Sequence, residues 1–127
     1  MTRYSLQGVT KSYGKINALK GIDLDIEDEV LGIIGHSGVG KTTLLKILAG
    51  LEAPSAGVIK YNDLHIDASN MPLLRKNATM IFQSPLFLRG DVFTNIAYGL
   101  RLRKIPERVI KERVEHVLET VRLQGLT

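Results

Sequence analysis

Gly35-His36-Ser37-Gly38-Val39-Gly40-Lys41-Thr42-Thr43 decides how the rest of this chain is read. It follows the apolar run Val30-Leu31-Gly32-Ile33-Ile34 and opens the helix-period stretch Leu44-Leu45-Lys46-Ile47-Leu48-Ala49. That is the strand, loop and helix setting of a phosphate-binding P-loop. Each residue type has a physical reason. Gly35, Gly38 and Gly40 carry no Cβ, so the backbone can approach a polyphosphate closely and turn successive N–H groups toward it. A helix starting near Lys41 adds its unpaired first-turn donors and the positive end of its dipole. Lys41 is the mobile cation for the β- and γ-phosphates, and Thr42 carries the hydroxyl that ligates Mg²⁺. His36, Ser37, Val39 and Thr43 complete the nucleotide-contacting stretch, His36 being read as a solvent-facing loop residue without a catalytic part. Gly50 is placed to end the helix.

A chain of 127 residues is one domain's worth. The absence of cysteine excludes disulfides and thiolate metal sites. Met1-Thr2-Arg3-Tyr4 runs straight into an alternating pattern, so no signal segment is expected. No apolar run approaches the roughly eighteen residues of a membrane span, and a soluble chain is expected, with any membrane role supplied by a partner. The formal net charge is +4, and much of the basic character gathers in Arg101, Arg103, Lys104, Arg108, Lys111 and Arg113. Only Phe93 and Tyr98 lie near them, too few aromatics for a base-stacking surface, so these charges read as a solvated helix face and no nucleic-acid partner is expected.

Residues 3 to 9 and 16 to 27 read as a hairpin, with Ile22, Leu24 and Ile26 alternating against Gly21, Asp23 and Asp25, and with Tyr13 and Gly14 in the turn. Residues 30 to 34 predict a buried strand feeding the P-loop, and 41 to 50 a helix. Pro54-Ser55-Ala56-Gly57 marks a turn before a short strand at 57 to 61, and a brief helical turn is placed near Pro72 to Lys76. Ala78-Thr79-Met80-Ile81-Phe82 predicts a second buried strand with Gln83 at its carboxyl end, where ligands gather in parallel sheets. Asp91 is a candidate cap for a helix from 92 to 102, and Pro106 the candidate first residue of another. That last helix carries Ile110, Val114, Val117, Leu118 and Val121 on one face and is expected to stop near Gly125.

Taken together these features resemble the ATP-binding subunit of ABC transporters, over essentially the whole chain. Tyr13, in Lys11-Ser12-Tyr13-Gly14, matches the aromatic loop on which that family stacks adenine. Ala18-Leu19-Lys20-Gly21-Ile22-Asp23-Leu24 is similar to the family's strand with an Ala-Leu pair. The P-loop has the family's Thr42-Thr43-Leu44-Leu45 continuation and Gly50-Leu51 exit. Ile81-Phe82-Gln83 resembles the Q-loop, which implies that the Gln83 amide oxygen reaches Mg²⁺ and the attacking water. Asp91 to Leu100 resembles the opening of the helical subdomain, and Ser84-Pro85-Leu86-Phe87-Leu88-Arg89-Gly90 would then face a transmembrane permease, with Phe87 and Leu88 as apolar anchors. Gly99 to Pro106 is most similar to importer ATPases, especially those serving oxyanions such as molybdate or tungstate.

The resemblance implies an α/β fold of the ABC-type P-loop NTPase class. It comprises an N-terminal antiparallel β-subdomain and partial RecA-like core over about 1 to 90, then the start of the helical subdomain over about 91 to 127. It implies ATP and Mg²⁺ as ligands, a second nucleotide-binding subunit as dimer partner, and a place on the cytoplasmic face of the membrane through the permease. Asp28-Glu29 stands where many members have glycine, and Asp tolerates left-handed dihedrals better than most residues. The acidic pair after a further apolar strand, the Gly-rich signature and the switch histidine are not found, since the other histidines are His65 and His116. A partial sequence, truncated before those motifs and without its general base, is expected to bind ATP weakly and turn over nothing measurable. A stand-alone nucleotide-binding module, or a soluble ABC-type ATPase outside transport, stays open as the alternative; a guanine-specific protein is disfavoured because no Asn-Lys-x-Asp occurs.

Overall fold

The structure is a computed structural model and describes residues 1–126. It divides into two compact units, Met1–Ile81 and the residues from Phe82 onward.

In the first unit, β1 (Arg3–Tyr13), β2 (Ile16–Glu27), β3 (Ala56–Tyr61) and β4 (Leu64–His65) form an antiparallel sheet in the order β2-β1-β3-β4. The sequence ends the first strand at residue 9, whereas β1 runs on to Tyr13 and turns through Gly14, at φ 58, into β2. A glycine bulge makes the long strand possible. Leu6 and Val9 are both buried, at 1% and 0% exposure, although residues three apart on a regular strand face opposite sides. The register breaks between them, Gly8 takes φ 57, and its N–H donates to Asp23 Oδ1 at 2.7 Å. The extra residue brings Val9 back to the core face.

Two helices, α1 (Lys41–Leu48) and α2 (Met71–Asn77), contribute to the same core. Leu44 and Ile47 from the first and Met71 and Leu74 from the second join Leu6, Val9, Leu19, Ile59 and Ile66 in one cluster. The expected glycine stop on α1 is present as a Schellman motif: Gly50 N–H donates to the Ile47 carbonyl at 3.0 Å and Leu51 N–H to the Lys46 carbonyl at 2.8 Å, with Gly50 at φ 70. A Cβ there would also lie 2.7 Å from the Leu74 Cβ, so glycine is required both by dihedral and by the closeness of α2. Asp28, in place of glycine, sits at φ 32; its carboxylate accepts from Thr2 N–H at 2.7 Å and its own N–H donates to the Thr2 carbonyl at 3.1 Å.

The two strands predicted at 30–34 and 78–82 do not form. Val30 and Ile34 are fully exposed, Ile81 is 92% exposed, and neither segment pairs with the sheet. Apolar composition favours burial, but a strand exists only through hydrogen bonds to a neighbour, and among the described residues neither run has one. Of these residues Ile33 alone is packed against the core cluster.

The second unit is a helical hairpin of α3 (Val92–Leu102) and α4 (Glu107–Thr120), cored by Ala97, Ile110, Val114 and Leu118. Asp91 caps α3 as expected, whereas Pro106, expected as the first residue of α4, has extended backbone and serves as its N-cap, the helix starting at Glu107. Two further expectations for α4 need correction. It stops at Thr120, before Gly125, because Arg122 at φ 59 closes a Schellman motif through its N–H to the Glu119 carbonyl. Val117 and Val121 are 45% and 54% exposed, since α3 covers only the line of Ile110, Val114 and Leu118. The basic residues from Arg101 to Arg113 are exposed as expected, and Arg101 makes a two-point ion pair with Glu107 at 2.7 and 3.2 Å.

The Asp91 cap sets a pH dependence. Hydrogen bonds from Thr94, side chain and backbone, hold the Asp91 carboxyl below its ordinary value of 3.8. A depressed folded pKa stabilises above the unfolded pKa and ceases to do so as pH falls through the folded one. The Thr94 amide resonance is therefore expected to titrate with a midpoint below 3.8, and Asp91→Asn should remove that titration.

Candidate functional site

The glycine loop is built on the first unit. Gly38 and Gly40 are left-handed, at φ 82 and 102. A Cβ on Gly40 would collide with the Ala18 carbonyl oxygen and lie 2.9 Å from Leu19 Cδ2. The Ala18-Leu19 pair of β2 is thus the surface on which the loop lies, and only glycine fits against it. Gly40 is also the N-cap of α1, so no side chain caps the helix, and the first helical bond runs from Leu44 N–H to the Gly40 carbonyl at 2.9 Å. The N–H groups of Lys41, Thr42 and Thr43 precede that bond and have no intrahelical acceptor.

Lys41 folds back over the loop. Its ammonium donates to the carbonyls of Gly35 and His36, and Val39 N–H donates to His36 O at 3.4 Å. His36, Ser37, Gly38 and Val39 are exposed, and so is Thr42; Thr43 is half-buried. Among the described residues no three His, Asp or Glu side chains converge as a metal site. A hydroxyl such as Thr42 without carboxylates suits a hard cation that arrives already held by phosphates.

Tyr13 stands at the end of β1 and meets the start of α1 through the Thr43 hydroxyl. Its phenol donates to the Glu52 carboxylate. That bond is the main cause that raises the phenol pKa; desolvation adds to it and the Thr43 hydroxyl opposes it. Lys11 lies over the ring, its ammonium 5.2 Å from the centroid and hydrogen-bonded to the Ala53 carbonyl at 2.8 Å. The structure therefore brings Tyr13, Thr43 and the glycine loop together within one unit.

Gln83 belongs to the second unit, where it is exposed and lies in a bend; the strand that the sequence puts before it is absent. Ser84 to Gly90 is also exposed throughout, with Leu86 at 93% and Phe87 at 81%. This apolar loop is nevertheless tied down by a residue the sequence reading missed. Asn95 accepts from Leu88 N–H at 2.7 Å and donates to the carbonyls of Leu88 at 3.1 Å and Asp91 at 2.9 Å. Asn95→Ala is expected to leave helix content unchanged while speeding proteolytic cleavage between 84 and 90 severalfold, as read by mass spectrometry of the fragments.

An antiparallel β-subdomain with a glycine loop opening a helix gives the fold of the ABC-type P-loop NTPases. The family model described as ABC transporter matches residues 19–127, and the chain belongs to that family. It is 40% identical over 122 residues to the spermidine/putrescine import ATP-binding protein PotA of Acetivibrio thermocellus, covering 94% of this chain and 34% of that protein. It is 42% identical over 127 residues to the sulfate/thiosulfate import ATP-binding protein CysA of Methylococcus capsulatus, covering 95% of this chain and 36% of that one. Among solved structures it is similar to cbiO1 of Clostridium perfringens, part of the ABC transporter complex cbiONQ, with a TM-score of 0.79 and 30% identity over 97% of this chain and 51% of that chain. The chain spans about a third of the length of these curated relatives.

Proposed function

We propose that this chain is the nucleotide-holding part of an ABC transporter ATP-binding subunit, with Mg-ATP as ligand. The observation that carries the reading is the uncapped start of α1 beside a left-handed glycine loop, with the Lys41 ammonium lying across that loop. Gly35 to Thr43 would hold the phosphates through backbone donors, and Lys41 would exchange its two carbonyl partners for phosphate oxygens. Tyr13 would stack the base, and Thr42 and Gln83 would orient the cation. Magnesium, when bound, neutralises charge on the β- and γ-phosphates. No residue of this chain is assigned as general base, so purified residues 1 to 127 should bind ATP and show no turnover. In a full-length dimer with a second nucleotide-binding subunit, hydrolysis would drive transport through a permease contacted near Ser84 to Gly90, on the cytoplasmic face of the membrane. Import is supported by the two curated relatives, both import ATP-binding proteins. Those relatives name a polyamine and an oxyanion at nearly equal identity, which argues that cargo is selected outside this segment.

A fluorescent ATP analogue tests the reading. It should bind saturably with Mg²⁺, be displaced by ATP, and bind Tyr13→Ala about tenfold more weakly. Absence of saturable binding, or turnover that disappears in Gln83→Ala, would overturn it.

A further inference from the structure

The Tyr13 ring is held from two sides by one short segment, and that segment is the exit of the phosphate-loop helix. Glu52, two residues beyond the Gly50 turn that ends α1, accepts the phenol hydrogen bond. Ala53, the next residue, accepts from the Lys11 ammonium that lies over the ring. Glu52 is half-buried, and 39 residues separate it from Tyr13. A tyrosine at a hairpin tip would otherwise be free to change rotamer, and ordering it on ligand binding costs entropy.

We propose that Glu52 is a positioning residue for nucleotide base recognition: from the segment that leaves α1 it fixes the Tyr13 ring, so that the start of α1 opens from the phosphate loop while the residues just beyond its end hold the aromatic platform. The proposal rests on the nucleotide reading above and adds to it the residue that orients the platform. Lys11 occupies one face of the ring and supplies a cation there. The opposite face is the one offered to a purine. Because Glu52 acts through the phenol and touches no phosphate donor, its influence should be confined to ligands that carry a base.

The test compares ATP with tripolyphosphate, which carries no base, on the intact chain. Glu52→Ala is expected to weaken ATP about three- to tenfold and leave tripolyphosphate affinity unchanged. Glu52→Gln, which keeps an oxygen acceptor, should restore most of the loss. Tyr13→Phe should match Glu52→Ala, and the double variant should lose no more than either alone, since both remove the same bond. An ultraviolet titration supplies a readout that loss of packing would not give: the raised Tyr13 phenol should move down toward 10.0 in Glu52→Ala. Equal weakening of ATP and tripolyphosphate, or unchanged ATP affinity in Glu52→Ala while Tyr13→Ala binds weakly, would overturn the positioning role and leave the nucleotide reading intact. Unchanged ATP affinity in both Tyr13→Ala and Lys41→Ala would instead remove the nucleotide reading itself.

Discussion

Lys41→Ala is expected to weaken Mg-ATP binding by roughly ten- to 150-fold, the equivalent of the 1.5–3 kcal/mol of a hydrogen bond to a charged group. In the structure the ammonium is already at the loop, satisfied by the carbonyls of Gly35 and His36. A triphosphate takes it over without a large movement, exchanging neutral acceptors for charged ones, which strengthens the bonds. The substitution also separates binding from folding. Lys41 makes no ion pair among the described residues, and the carbonyls it leaves belong to an exposed loop that water can reach. Urea midpoints of the variant and parent should therefore agree closely while the ATP titration shifts. The salt dependence of binding should fall as well, because one cation fewer faces the phosphates. Unchanged affinity would mean that the anion site lies elsewhere.

Local rules made much of this architecture legible. The Asp91 cap, the Gly50 stop and the left-handed Asp28 each depend on a few neighbouring residues, and each is found. The glycine loop was readable for the same reason. Pairing beyond a hairpin is not local, and the two strand readings that failed needed it. Residues 30–34 and 78–82 have the composition of buried strands, yet composition says only that they would rather be covered. It does not supply a neighbour. Glu52 and Asn95 show the limit from the other side: an acid after a helix and an asparagine inside one look like ordinary polar positions until the fold brings Tyr13 and Leu88 to them. Val9 falls within the first strand that the sequence predicts, but its return to the core depends on a bulge whose signal, a single glycine at position 8, is too common to be decisive.

The same bulge gives Gly57→Ala a large expected cost in stability, about 2–5 kcal/mol from left-handed strain and overpacking combined. Gly57 lies on β3 opposite the break in β1, at φ 96. A Cβ there would come within 2.5 Å of the Gly8 carbonyl oxygen, 2.6 Å of Val9 Cα and 2.7 Å of the Gly8 carbonyl carbon. All three are backbone atoms of a central strand, so no side chain can swing aside to relieve the contact. Gly21→Ala is the control that isolates this effect. Its φ of 104 imposes similar dihedral strain, but nothing lies within 4 Å of its Cβ position, so it should cost only about 1–2 kcal/mol. Urea unfolding should show a clearly lower midpoint for Gly57→Ala than for Gly21→Ala at unchanged slope. Equal midpoints would mean that β1 and β3 can part at the bulge without cost. Because β1 ends at Tyr13, a forced separation there would also be felt at the aromatic platform, so ATP affinity corrected for the folded fraction should fall more in Gly57→Ala than in Gly21→Ala.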